Sequence, residues 1–177
     1  MYRMSKTPQA TAVKRRPGQR TPSADSRRIQ VRRSGVHGKG VFALKRIAAG
    51  EPIIEYKGQL ITWPEALRRH PRDPAEPNHT FYFHIDDKHV IDAGVGGNAS
   101  RWINHSCTPN CQAEQVDDAA GGGRVYIKAL RALKPGEELF YDYGLIIDER
   151  YTPKLKKEYA CRCGSPACRQ TLLAPKR

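Results

Sequence analysis

The sequence predicts a mostly β domain of short strands with few helices. Three observations carry this. Apolar runs are short and are separated by glycine and basic turns, as at Val41–Ala43 and Ile53–Tyr56. "HTFYFHIDDKHVIDAG" (His79–Gly94) alternates Phe81 and Phe83 with Tyr82 and His84 and breaks at "DDKH", which is the pattern of a hairpin. One stretch, "TWPEALRRH" (Thr62–His70), has clear helix signals: an N-cap Thr, a proline in the first turn, an early Glu and late bases.

The remaining elements follow in order. Ordered chain is expected from "RRIQVRRSGVHGKGVFALKRIAAGEPIIEYKGQLI" onward, with Ala48–Glu51 as a turn. Pro71–Asn78 holds three prolines and reads as a loop. "DDAAGGG" (Asp117–Gly123) joins "CQAEQV" and "RVYIKAL" into a second hairpin, and "LKPGEELFYDYG" turns at Pro-Gly and enters one more strand. "DERYTPKLKKEY" is polar and reads as partly helical; "ACRCGSPACRQ" is short and rich in cysteine.

The 177 residues suit one domain plus tails. Net charge is +13, and residues 1–33 hold ten Lys/Arg against one acid, Asp25. A segment so rich in Lys, Arg, Pro, Ser and Gln cannot bury enough apolar surface to fold alone. Residues 1–28 are therefore expected to be a disordered basic tail. It reads as a solubilising arm or as a nonspecific electrostatic contact to nucleic acid through residues 1–33. Tyr2 is its one aromatic residue, so base stacking is not indicated. No apolar run approaches the ~18 residues of a membrane span and no signal-peptide core is evident. The expectation is a cytoplasmic protein, or a nuclear one in a eukaryotic cell.

Five cysteines in a reducing compartment read as metal ligands or core residues before disulfides. Cys161, Cys163 and Cys168 put three thiols within eight residues, turned by Gly164 and Pro166. Structural zinc takes four tetrahedral ligands, so a fourth must come from elsewhere. The "RWINHSCTPNC" stretch (Arg101–Cys111) offers Cys107, Cys111 and His105. Such a site would pin the C-terminal segment to that loop. With all four positions filled, it would be structural.

Four segments, taken together and in this order, resemble the SET-domain protein lysine methyltransferases: "SGVHGKGVFA" (Ser34–Ala43), "EYKGQLI" (Glu55–Ile61), "GNASRWINHSCTPNC" (Gly97–Cys111) and "EELFYDYG" (Glu137–Gly144). "CRCGSPAC" (Cys161–Cys168) resembles their post-SET zinc segment. The resemblance implies a SET domain over 29–147 and a post-SET segment over 148–177. It also implies small curved sheets around a pseudoknot in which 139–144 passes beneath the loop near 104–110. Two positions depart from the family pattern. Trp102 stands where Phe is usual, and Gln59 stands where an acid is common, which bears on the electrostatics of a substrate groove.

By the same resemblance, S-adenosylmethionine is held by His37, Gly38, Lys39 and Gly40, by Arg101, Asn104 and His105, and by Tyr143. Asn104 faces the methionine amine, and His105 is cofactor-facing rather than a base. Zinc is held by Cys107, Cys161, Cys163 and Cys168, leaving Cys111 as the odd thiol. Tyr143 is the principal catalytic residue, while Tyr56 and Tyr141 wall a lysine channel with Phe81 or Tyr82. Without the motif, each tyrosine reads as a core aromatic with a satisfied hydroxyl. A Tyr at 141 resembles enzymes that stop at monomethyl lysine. The expected substrate is a lysine of a histone-like, ribosomal or other basic protein, and Lys6 and Lys14 are candidate automethylation sites. The competing reading is a SET-fold scaffold tied to nucleic acid by its tail, without turnover.

Overall fold

A computed structural model describes residues 28–70, 80–117 and 123–176. The expected basic tail lies outside the described residues, except Arg28, whose guanidinium pairs with Glu51 at 2.6 Å. Lys6, Lys14 and the Pro71–Asn78 loop also lie outside them.

The described residues form four small sheets. β1 (Ile29–Arg33) and β2 (Lys39–Ala43) pair antiparallel, Ile29 opposite Ala43 and Arg33 opposite Lys39. β3 (Pro52–Glu55) leads through β4 (Gln59–Thr62) into α1 (Trp63–Arg69). β5 (Tyr82–His84) and β6 (His89–Asp92) form the first expected hairpin, and β4 adds to it in the order β4-β6-β5. The Asp86 carboxylate closes that hairpin by accepting the Lys88 and His89 N–H groups, both at 2.7 Å. A 3-10 turn (Ala99–Trp102) precedes β7 (Asn104–His105). β8 (Cys111–Asp117) and β9 (Gly123–Ala129) form the second hairpin, with β3 on the far side of β9. β10 (Phe140–Tyr141) runs parallel to β7, and α2 (Pro153–Glu158) follows.

α1 starts and stops where its sequence says. Thr62 Oγ1 accepts the Glu65 N–H, Pro64 sits in the first turn, and Glu65 holds Arg69 at 2.7 Å. α2 is built the same way: Thr152 caps Leu155 N–H at 3.1 Å and Pro153 opens it. The stretch 148–159 is partly helical, as its sequence suggests, with the helix over Pro153–Glu158; the 3-10 turn is an addition. No helix among the described residues is long and apolar enough to cross a membrane.

The core lies between the sheets. Val125, Tyr126 and Ile127 are buried in succession because β9 is the middle strand of its sheet. Val125 and Ile127 pack in one cluster with Val41, Ile53, Ile103 and Leu139. A second apolar cluster joins Ile147 to Leu155, Tyr159 and Leu173, so the expected boundary between 147 and 148 passes through it.

Residues 138–141 are fastened beside the 106–110 loop by one side chain. Asn110 is buried, donates to the Glu138 carbonyl at 2.7 Å and accepts the Phe140 N–H at 2.8 Å. Ser106 N–H reaches the Tyr141 carbonyl at 3.3 Å. The two segments expected to meet in the pseudoknot are thereby in contact.

Asn110→Ala would strand both backbone groups, each costing roughly 1–3 kcal/mol. The expected outcome in a thermal melt is a Tm lower by roughly 5–12 °C. Gln112→Ala, exposed on β8, should change stability by less than about 0.5 kcal/mol. Equal melts for the two variants would refute this role.

Candidate active site and metal centre

A cleft of about 850 Å³ opens where β7, β10, the 37–39 loop and the C-terminal segment converge. That volume suits a small-molecule cofactor. Three tyrosines form one wall. Tyr56 Oη donates to the Phe81 carbonyl at 3.1 Å, and Tyr143 Oη donates to the Ile103 carbonyl at 2.9 Å. The Tyr141 hydroxyl makes no hydrogen bond among the described residues. The Tyr141 and Tyr143 rings lie 4.9 Å apart, and Phe83 packs on Tyr56 at 5.1 Å. Burial raises the ionisation of all three phenols well above the ordinary tyrosine value, so each stays protonated near neutral pH. Phe81 and Tyr82 both line the cleft as well.

The opposite wall is the turn between β1 and β2. His37, Gly38 and Lys39 line the cleft, and Gly38 adopts φ +46°, open to glycine at low cost. Asn104 ties this turn down, with Nδ2 facing the carbonyls of Lys39 (2.9 Å) and His37 (3.3 Å) and Glu138 Oε1 (3.0 Å). Three acceptors around one atom fix the orientation of the amide. Gly40 does not line the cleft. It is buried, and a Cβ there would fall 2.1 Å from Glu138 Oε1. In this structure its Cα faces the Glu138 side chain.

Trp102 bridges the two walls. Lys39 Nζ lies 4.5 Å and the Arg101 guanidinium 4.8 Å from its ring centre. Arg101 donates to the Ala93 carbonyl at 3.2 Å, and its buried Nε has no hydrogen-bond partner.

His105 is buried and lines the cleft. Its Nδ1 accepts the Tyr143 N–H at 3.1 Å, and Nε2 lies 3.4 Å from Cys107 Sγ. Burial pushes its ionisation down to about 4, with Arg169 adding and Asp142 opposing. It is neutral with both nitrogens in use, so the 3.5 Å approach of Asp142 to Nδ1 is no ion pair.

Cys107, Cys161, Cys163 and Cys168 converge with all four sulfurs within 4.8 Å of one another. Cys107 Sγ lies 3.8 Å from Cys161 and 4.0 Å from Cys168. A zinc ion with sulfur at about 2.3 Å needs a tetrahedron edge of about 3.8 Å, so the set fits zinc. Backbone N–H groups of Arg169 and Gln170 point at Cys107 and Cys168, as thiolates require. Cys111 is not part of the set; it is wholly buried in the core, which pushes its thiol up to about 12.

The metal segment is also a wall of the cleft, since residues 157–162 and Leu172 line it. Three residues missed in the sequence build this region. Glu138 orients Asn104, while Asp142 takes a two-pronged contact from Arg169 at 2.6 and 2.9 Å. Asp142 and Arg169 do stand beside motif residues, Tyr141 and Cys168, but their pairing has no local spacing signal.

The chain matches the family model for the SET domain over residues 38–144. It is 41% identical over 144 residues to the histone-lysine N-methyltransferase trithorax of Drosophila virilis, covering 81% of this chain and 4% of that protein. It is 38% identical over 144 residues to human histone-lysine N-methyltransferase 2B, covering 81% of this chain and 5% of the other. A solved structure, ctPRC2 in an autoinhibited conformation bound to S-adenosylmethionine, aligns with TM-score 0.61 and 33% identity over 66% of this chain and 15% of that one. The chain thus spans a small fraction of each relative's length.

One zinc per chain is expected by elemental analysis of the purified protein. Cys107→Ser should release most of it, and Cys111→Ser should retain it; the reverse result would reassign the fourth ligand.

Proposed function

The chain belongs to the SET domain family, and from that premise we propose that it methylates the side-chain amine of a protein lysine using S-adenosylmethionine. The observation that carries the reading is the cleft itself. Buried tyrosine hydroxyls line one side of it, and a backbone turn held by Asn104 lines the other. The naming of relatives as histone-lysine methyltransferases supports a protein substrate, with histone-like and other basic proteins as candidates.

Bound S-adenosylmethionine supplies a methyl group for in-line displacement by a neutral amine. The residues suited to hold it are His37, Gly38 and Lys39, with Arg101, Trp102, Asn104 and His105 beside them. The tyrosines do the rest without a strong base. Tyr56 and Tyr143 each commit their single proton to a backbone carbonyl. Toward the cleft their oxygens can therefore only accept, which orients an incoming N–H group. Burial strips water from the amine and lowers its pKa, and alignment contributes several kcal/mol, roughly, to lowering the barrier. Tyr141 has a hydroxyl with no hydrogen-bond partner among the described residues, suited to hold a water where a second methyl needs room. The reading is monomethylation.

The basic composition of residues 1–33 supports nonspecific contact with nucleic acid. A dissociation constant that does not weaken with added salt would remove that contact from the proposal.

Mass spectrometry after incubation with S-adenosylmethionine, core histones and a cell lysate tests the main reading. One methyl per modified lysine is expected, with Tyr143→Phe slower by about a hundredfold. Tyr141→Phe should move products toward di- and trimethyl lysine. Mainly trimethyl product from the unmutated protein would overturn the Tyr141 argument, and no transfer to any protein would favour the scaffold reading. The rate should rise with pH as the substrate amine deprotonates, without a phenolate limb below about pH 9.5, because the three phenols are shifted upward.

A further inference from the structure

Three of the contacts by which the C-terminal segment meets the rest of the protein bear on the cleft. Its apolar cluster packs Leu155, Tyr159 and Leu173 on Ile147. Its thiols share the metal centre with Cys107. The third contact is the Arg169 guanidinium on Asp142, with Nη1 to Oδ2 at 2.6 Å and Nη2 to Oδ1 at 2.9 Å. Only this last contact lands between Tyr141 and Tyr143, both of which wall the cleft.

We propose that Asp142 and Arg169 are positioning residues: their ion pair is a clasp, itself containing no metal ligand, that couples closure of the 157–172 segment to the placement of the tyrosine wall. The inference rests on the methyltransfer reading for its kinetic consequence, but not for the clasp itself. The fork is planar and charge-assisted, so it fixes direction as well as distance. Side-chain exposures of 25% and 35% keep it partly shielded from solvent. Asp142 is braced on its own side, since Oδ1 also accepts the Gly144 N–H at 2.9 Å. Arg169 is held at its backbone, because its own N–H points at Cys107 Sγ at 3.4 Å. A shift of the fork therefore moves the backbone between the two tyrosines. Tyr143 N–H is itself fixed on His105, so the wall responds as a unit. A second hydroxyl contact, Thr108 Oγ1 to Ser165 Oγ at 2.6 Å, holds the segment at its far corner but touches neither tyrosine.

The test compares the full chain with Asp142→Asn, Arg169→Gln, Arg169→Lys and the double variant Asp142→Asn/Arg169→Gln. Zinc content and amide hydrogen exchange over residues 157–172 are measured first. The expected result is one zinc per chain throughout, with faster exchange in the two neutral variants and intermediate exchange in Arg169→Lys. In turnover, kcat should fall by about tenfold or more in the neutral variants. The double variant should cost no more than the worse single, because the pair acts as one unit. Thr108→Ala, which opens the far corner alone, should leave kcat near its unmutated value. Wild-type exchange and kcat in Asp142→Asn overturn the clasp, as does a double variant whose losses simply multiply. Loss of zinc from Asp142→Asn also overturns it, since the pair would then act through the metal. If the unmutated protein transfers no methyl group, the functional reading fails while the exchange data still decide the clasp.

Discussion

The buried amide of Asn110 bonds the backbone on both sides of Leu139 and so decides how close residues 138–141 come to the 104–110 loop. Most features of the cleft inherit that separation. β10 can pair with β7 only at this distance, and the pairing sets Tyr141 opposite His105. Glu138 then reaches Asn104, which reaches the 37–39 turn. One side chain with donors and an acceptor on a flat frame performs this because it can satisfy a carbonyl and an N–H together. A hydrophobic residue of similar size would leave both buried groups unmet.

The metal centre depends on the same loop. Cys107 lies two residues beyond β7, so the contact that fixes β7 also fixes the first thiol that the C-terminal cysteines must meet. This ordering explains how a short polar tail-piece, with one small apolar cluster, becomes a wall of the cleft. A closed four-sulfur site is a cross-link between distant segments, and its stabilisation is felt mainly through the chain freedom it removes. The Asp142–Arg169 fork adds direction to a link that the metal gives only as proximity.

How much of this was legible in the sequence follows from how local each signal is. Both hairpins and α1 are announced by alternation, by the Asp86 turn and by the Thr62 cap, all within a few residues. α2 has the same cap chemistry but a single buried residue, Leu155, so its periodicity is too weak to separate helix from loop. β7 and β10 are two residues each and pair across a long stretch of chain, where no local pattern exists. Spacing could not choose between Cys107 and Cys111. The choice is made by β8, which carries Cys111 into the core, and was available beforehand only through family resemblance. Gly40 carries a packing signal that the string does not announce: a Cβ there would require the Glu138 side chain to move.

On the proposed reading, the cleft would favour a neutral amine without supplying a base. Several carboxylates of the surrounding elements are paired with cations: Asp92 with Arg69, Glu55 with Arg124 and Asp142 with Arg169, while Glu138 accepts from Asn104. His105 is neutral, with its nitrogens turned to Tyr143 and Cys107. The lining itself holds five tyrosines (Tyr56, Tyr82, Tyr141, Tyr143 and Tyr159), the cations Lys39, Arg101, Lys157 and Arg162, and one carboxylate, Glu158. An ammonium group entering such a space loses water and meets like charge, and both effects lower its pKa. A buried carboxylate in the channel would do the reverse, holding the amine charged and unreactive. Pairing the acids away from the cleft is thus as much a part of its chemistry as the tyrosines placed inside it.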